Sequence, residues 1–260
     1  MINERKTVLE IKNLTKNYHD MPDSRNILEN LALEVKEGDF LTILGPSGCG
    51  KTTLIRCIAG FEDYEGDILV DGKAVKGPGV DRFMVFQTFE QLFPWRTVRG
   101  NITYPLKQNG IADKEERNLI AEEHLELVGL KGKGNLYPHQ LSGGMKQRVA
   151  IAKGLALNPK IILMDEPFAA LDAMTRNKLQ AELIRIKEKE NVTVIFITHN
   201  IQEALALGNR VMLMSGKGEI KINMDNNIPK PITPASEGYG QMWKTLNDAL
   251  WAEDETGKTL

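Results

Sequence analysis

The sequence predicts an α/β protein, and three observations carry that prediction. The apolar residues 40–44 read as a buried strand that passes through a glycine-rich loop directly into a helix. A second apolar run, residues 161–164, ends on two acids, Asp165 and Glu166. After the loop, short apolar runs alternate with stretches of helical period, the pattern of a mainly parallel sheet. At 260 residues and 42% hydrophobic composition, the chain is long enough for one substantial core with an inserted or appended subdomain.

In chain order, residues 7–17 alternate apolar and polar as a half-exposed antiparallel strand does, and Tyr18 follows. A polar turn holds Pro22 and Asp23, and Leu31, Leu33 and Val35 alternate again, so two or three strands open the chain. Residues 65–72 read as a short strand between turns, and residues 83–87 as another that ends on Gln87. From Trp95 to about Leu157 helical periods dominate. There Ile120 and Leu127 sit seven apart with His124 between them, and Val149, Ala152 and Ala156 share a face. Asn158 and Pro159 stop that helix. Leu179, Leu183 and Ile186 mark an amphipathic helix, residues 192–197 a β-branched strand, 201–207 a helix and 211–214 a strand. Pro229, Pro231 and Pro234 mark a linker, and residues 241–251 a short amphipathic helix with Trp243 and Trp251 as packing anchors.

The loop Gly45-Pro-Ser-Gly-Cys-Gly-Lys-Thr-Thr53 has the form of a phosphate cradle. Gly45, Gly48 and Gly50 let the backbone curl so that N–H groups of residues such as Pro46's successor Ser47 and Cys49 point inward, and the new helix adds its positive end. Lys51 is placed to reach β- and γ-phosphates, and the Thr52 hydroxyl to ligate Mg²⁺, with Thr53 beside it. A bare glycine-rich turn is the plainer alternative, and the strand-loop-helix context argues against it. Asp165 and Glu166 stand at a strand's C-terminal end, where open α/β sheets hold ligands; Asp165 is placed to orient Mg²⁺ and Glu166 to polarise a water, against a solvated strand-end turn. Leu141-Ser-Gly-Gly-Met-Lys-Gln-Arg148 offers a second anion site: Ser142 as N-cap, with Gly143 and Gly144 baring the helix start. A helical region separates the two anion sites, so a second copy of the chain is the simplest way to bring both to one phosphate.

Together these residues resemble the ATP-binding cassette ATPases, the nucleotide-hydrolysing subunits of ABC transporters, over residues 7 to about 225. The phosphate loop, Gln87, the Ser-Gly-Gly signature, residues 161–166, Ala170-Leu171-Asp172 and Thr198-His199 occur in the family's order. The resemblance implies a RecA-like phosphate-loop core with an antiparallel β subdomain and an inserted α-helical signature subdomain. The ATPase domain is then expected over 7–227, its helical part at about 95–157, with 228–260 as C-terminal linker and helix. It further implies that Gln87 senses Mg²⁺ and the attacking water, His199 contacts the γ-phosphate, Asp172 links the two sites of a homodimer with ATP at its interface, Ser142 and Gly144 bind the partner's ATP, and Tyr18 stacks on adenine.

Residues 76–82 and 92–98 look like those of nitrate, sulfonate and taurine importer ATPases, which work with a membrane permease and an extracytoplasmic solute-binding protein. Phe93, Pro94, Trp95 and Arg96 are the expected permease contact, against a plainer reading in which the aromatics fill an internal seam. Phe89 and Glu90 in the same loop point to no one solute. A net charge of −2 and a pI near 6.2 argue against nucleic acid held by a basic surface. No run reaches the roughly 18 apolar residues of a membrane helix, and the N-terminus lacks a secretion signal's apolar core, so the expected location is cytoplasmic, peripheral on the inner face of the membrane. Cys49 and Cys57 are too far apart for a disulfide and read as reduced thiols, and His19, His124 and His139 as surface or packing residues. The competing functions, a cassette ATPase acting on DNA or ribosomes and a nucleotide-binding regulator without turnover, lack respectively the long insertion or second cassette and a reason for keeping Glu166 and His199.

Overall fold

The computed structural model describes residues 5–18, 26–88 and 91–257, with side chains to Ala252. Pro22 and Asp23 of the expected turn, His19, Phe89 and Glu90 lie outside the described residues. The chain forms two compact units, Met1–Gly79 with Thr193–Leu260, and Val80–Val192.

In the first unit, an antiparallel sheet has the order β2-β1-β4-β5, with β1 at Thr7–Lys16, β2 at Leu28–Lys36, β4 at Glu65–Val70 and β5 at Lys73–Ala74. Two strands therefore precede the phosphate loop's own strand. The simple alternation expected along β1 breaks at a bulge. Leu9 faces Val35 and Ile11 faces Leu33, but Leu14, not Asn13, faces Leu31, because Asn13 takes a left-handed φ of 51°. The bulge admits no side chain opposite: a Cβ on Gly66 would lie 2.4 Å from the Asn13 carbonyl oxygen.

The same unit holds the strand β3 (Phe40–Leu44), buried along its whole length between two parallel neighbours, β8 (Thr193–Ile197) and β9 (Arg210–Met214). Continuous burial on both faces explains why these three strands read as unbroken apolar runs. A further strand, β10 (Ile220–Asp225), pairs antiparallel with β9. It carried a signal in the alternation of Ile220, Ile222 and Met224, each half-buried. Helix α1 (Lys51–Ala59) follows the phosphate loop, and α6 (Ile201–Leu207) follows β8.

Helix α7 (Tyr239–Gly257) runs longer than the apolar spacing suggested. Tyr239 and Leu246 are buried with Ile201, Ala204 and Leu205 of α6 and with Leu44, the last residue of β3. The proline-containing stretch before α7 is pinned to this core, since Ile228 and Ile232 pack on it. The Asn226 amide donates to the carbonyls of Leu205 (2.8 Å) and Gly208 (2.9 Å), and the Lys230 ammonium caps the end of α6 at the Ala206 and Leu207 carbonyls. Prolines alone signal a linker; Ile228 before them and Ile232 among them add contacts to the core. The two tryptophans do not anchor the helix as expected, because Trp243 is 37% and Trp251 63% exposed, and Leu246 fills that role.

In the second unit β6 (Arg82–Val85) pairs parallel with β7 (Ile161–Asp165). Around them stand α2 (Val98–Gln108), α3 (Lys114–Leu127), α4 (Gly143–Leu155) and α5 (Ala173–Glu190). Each begins on a side chain that accepts a hydrogen bond from an N–H of its own first turn: Thr97, Asp113, Ser142 and Asp172. On α3 the buried positions are Ala121 and Leu125, followed by Val128 just past its end, while Ile120 and Leu127 are half-buried. The true stripe sits one residue on from the pair that the seven-residue spacing picked out. Helix α4 packs on β6 so closely that a Cβ on Gly154 would lie 2.4 Å from the Phe83 ring. Neither cysteine forms a disulfide, and burial pushes the Cys57 thiol up to about 12.

Leu246→Ala should remove the contact that seats α7 and destabilise the chain by about 2–5 kcal/mol. Urea denaturation checks this, with Trp251→Ala, on the exposed side of the same helix, expected to change stability by less than about 0.5 kcal/mol.

Candidate functional site

The first unit supplies the phosphate loop. All three of its glycines are required by geometry, Gly48 through its left-handed φ of 80°. A Cβ on Gly45 would lie 2.7 Å from Cys49 Sγ and 2.8 Å from the Met214 carbonyl, so only a bare backbone passes there. Gly50 holds φ at 94°, and α1 begins beside it with no side-chain cap on its first N–H groups. In the loop just before them Ser47 and Gly48 are exposed. A Cβ on Gly48 would meet nothing within 4 Å. Lys51 is only 7% exposed, and its ammonium donates to the carbonyls of Gly45 (2.8 Å) and Pro46 (2.8 Å) and approaches Cys49 Sγ at 3.7 Å. Burial raises the Cys49 thiol pKa against the opposing pull of Lys51, which keeps the sulfur neutral beside the cation. Thr52 is exposed and Thr53 half-buried on the first turn of α1.

His199 lies in the same unit, on the turn between β8 and α6, with its side chain exposed. Three polar groups hold this turn, Thr198 of the motif and two that the sequence reading did not single out, Asn200 and Glu203. The Thr198 hydroxyl donates to the buried Glu203 carboxylate and accepts from the Asn200 N–H at 3.0 Å, while Asn200 Oδ1 accepts from the Glu203 N–H at 3.1 Å and caps α6. An Asn just before an amphipathic run, with Glu three residues later, was the available signal. The structure brings Gly45, Pro46 and Ser47 together with His199 around one cavity of about 890 Å³, whose far wall is α7. Tyr18 sits after β1, half-buried, with the Lys16 ammonium 4.6 Å from its ring centre.

The second unit holds the acids and the signature. Asp165 is buried at the end of β7, and Glu166 follows in a left-handed conformation, φ 41°, uncommon for a residue with a side chain. Gln87 is exposed two residues beyond β6, because the strand ends at Val85 rather than running to it. Ser142 is exposed and its hydroxyl accepts from the Met145 N–H at 3.3 Å. Gly143 and Gly144 begin α4, and a Cβ on Gly144 would lie 2.7 Å from Thr175 Cγ2, so the starts of α4 and α5 touch. Asp172 Oδ1 accepts from the Thr175 N–H at 2.9 Å, and this bond to the backbone lowers its pKa. The signature and Asp172 thus form one continuous face.

The loop after Gln87 is built around a residue that the sequence reading passed over. Asn101 is fully buried; its Nδ2 donates to the carbonyls of Phe93, Arg96 and Thr97, and its Oδ1 accepts from the Phe93 N–H at 2.7 Å. Phe93 packs edge-on against Tyr104 at 5.3 Å, and Arg96 stands 4.3 Å from the Tyr104 ring centre. Trp95, in contrast, is 71% exposed. Among the described residues no helix is long and apolar enough to cross a membrane, and no group of three or more His, Cys, Asp and Glu side chains stands ready to hold a metal ion.

Comparison with known proteins places this geometry. The family model described as ABC transporter matches residues 28–169. An uncharacterised ABC transporter ATP-binding protein of Methanocaldococcus jannaschii is 49% identical over 258 residues, 98% of this chain and 95% of that protein. An aliphatic sulfonates import ATP-binding protein of Bacillus cereus is 41% identical, covering 92% of this chain and 94% of its own. Among solved structures, a dimeric ATP-binding cassette in a post-hydrolysis state bound to ADP and Pi is similar at TM-score 0.73 and 34% identity, over 84% of this chain and 99% of that one. With its phosphate loop, strand-end acids and Ser-Gly-Gly helix start, this chain belongs to the ABC transporter family as an ATP-binding member, and it is an ATPase.

Proposed function

We propose that the chain is the ATP-hydrolysing subunit of an importer for a small anionic solute such as nitrate, a sulfonate or taurine, and that it works as a homodimer with ATP at the interface. The observation that carries the reading is the phosphate loop: a nearly buried Lys51 ammonium beside an uncapped helix start suits a polyphosphate. The sulfonate-import relative supports the solute class. In this reading residues 7–227 are the ATPase domain, with the signature-bearing helices within about 95–157, and residues 228–260 are an appendage.

The residues divide the work as follows. Backbone N–H groups of residues 47–53 and Lys51 hold the β- and γ-phosphates. Thr52, Asp165 and Gln87 are the groups that would hold Mg²⁺, which would supply positive charge to the phosphate oxygens. Glu166 accepts the proton of the water that attacks the γ-phosphorus as the bond to ADP breaks. His199 hydrogen-bonds the γ-phosphate, and Tyr18 stacks on adenine. The partner subunit's Ser142, Gly143 and Gly144 close over the phosphates, with Asp172 linking the two sites. Closure on ATP and release after hydrolysis drive a separate membrane permease, with which a solute-binding protein engages from outside, so the chain sits on the inner face of the membrane. The exposed Trp95 on a loop stapled by Asn101 is the permease anchor, Phe93 braces it and Arg96 lies at its polar rim.

Lys51→Ala should abolish productive ATP use, whereas Glu166→Gln should bind ATP and slow hydrolysis by about 10²–10⁴. Single-turnover assays with Mg-ATP separate the two, and a parental rate in Glu166→Gln removes Glu166 as the base. Trp95→Ala should leave the purified subunit folded and hydrolysing ATP yet weaken permease assembly by about 2 kcal/mol. A variant that melts well below the parent but assembles normally would return Trp95 to an internal packing role.

A further inference from the structure

The cavity beside the phosphate loop has one wall that the hydrolytic reading does not use. Ser47, His199 and Gln202 form one side, and Tyr239, Trp243 and Trp251 of α7 the other. The tryptophans are 37% and 63% exposed, although Leu246 of the same helix is fully buried. Tyr239 is itself 93% buried by difference from its 7% exposure, and its hydroxyl has no hydrogen-bond partner among the described residues. Among the described residues no Lys, Arg, Asp or Glu lines the cavity. The phosphate-loop side is polar, while the α7 side pairs Asn247 with the apolar Tyr239, Trp243, Leu250 and Trp251, and this aromatic side suits an apolar side chain of a protein partner.

We propose that α7 is a receptor for a second copy of this chain, and that the segment it receives is the start of the partner subunit's α5, led by Met174. The proposal rests on the ATP-bridged dimer proposed above, and two contacts in the structure extend it. On the second unit the starts of α4 and α5 touch at Gly144 and Thr175, so Met174 travels with the signature wherever the signature docks. On the first unit, the phosphate-loop residues Pro46 and Ser47 share the cavity with Trp243 and Trp251. A partner whose Ser142 closes on the phosphates at Ser47 therefore brings its Met174 to the aromatic wall. Met174 is 69% exposed, two residues after Asp172, and a flexible thioether against aromatic rings is a favourable pairing. By symmetry the dimer makes the contact twice.

The test uses the full chain carrying Glu166→Gln and Trp95→Phe, so that emission reports only Trp243 and Trp251 of the three tryptophans. ATP should produce a dimer by light scattering and, over the same concentration range, a blue shift of tryptophan emission. Met174→Ala, on an exposed helix face, should weaken ATP-dependent dimerisation about tenfold and reduce the blue shift. Trp243→Ala should weaken it comparably, and the double variant no further than either single one, because both delete one contact. If the Met174→Ala chain dimerises with parental affinity and an unchanged blue shift, the α7 contact is wrong and the ATP-bridged dimer stands. If the parent shows no ATP-dependent dimer, both fall.

Discussion

The first unit depends on the requirement that β3 be buried on both faces while its end stays open. Five residues, Phe40 to Leu44, are wholly buried between parallel neighbours on either side. The strand's start is fixed by polar groups: Asp39, 1% exposed, accepts from the Lys36 N–H at 3.0 Å and from Asn209 at 3.3 Å, with Arg5 also on it. Asn209 in turn accepts from the Phe40 N–H. Such a carboxylate is tolerated away from water only because its oxygens are occupied. With one end tied and both edges paired, the backbone leaves the strand at Gly45 in a fixed direction, and the curl of the loop and the position of Lys51 follow from that exit.

Much of this was legible in the sequence because the elements that matter announce themselves in two ways at once. Residues 40–44 and 161–165 combine apolar runs of strand length with a chemical terminus, glycines in one case and acids in the other. Ser142 was readable as a cap from its position before two glycines, and it is one. What was missed lacked that redundancy. Asn101 is a polar residue inside a helix, and nothing in its neighbours says that it points inward to staple a loop, while the Asn200–Glu203 spacing announces a helix start but not the hydroxyl that Glu203 holds. The bulge at Asn13 shifts the inward face of β1 by one residue, which an alternation pattern cannot anticipate without its partner strand. The stretch before α7 failed for a compositional reason, since prolines outweighed Ile228 and Ile232, whose burial needs a tertiary partner.

The helix starts share one device. Thr97, Asp113, Ser142, Asp172 and Asn200 each accept an N–H from the first turn, whereas α1 does not begin on such a side chain. Against that background the start of α1 is a distinction within the molecule: the one helix start among these with no side-chain cap is where the sequence puts its glycines and its lysine. At Ser142 the hydroxyl is engaged by its own helix at 3.3 Å, a long bond that leaves its lone pairs accessible.

Glu166 has a consequence beyond its charge. Its left-handed backbone, φ 41°, precedes Pro167, and a residue before proline is already restricted, so this peptide stores about 1–3 kcal/mol of strain. The turn is closed by the Ala169 N–H donating to the Glu166 carbonyl at 3.1 Å, and the buried Phe168 holds it from behind. The main chain therefore sets the direction in which the Glu166 side chain leaves the strand end. That departure is held by the residues downstream, 167–169, so a substitution in this short turn would move the base of the acid's side chain without any change to the acid itself.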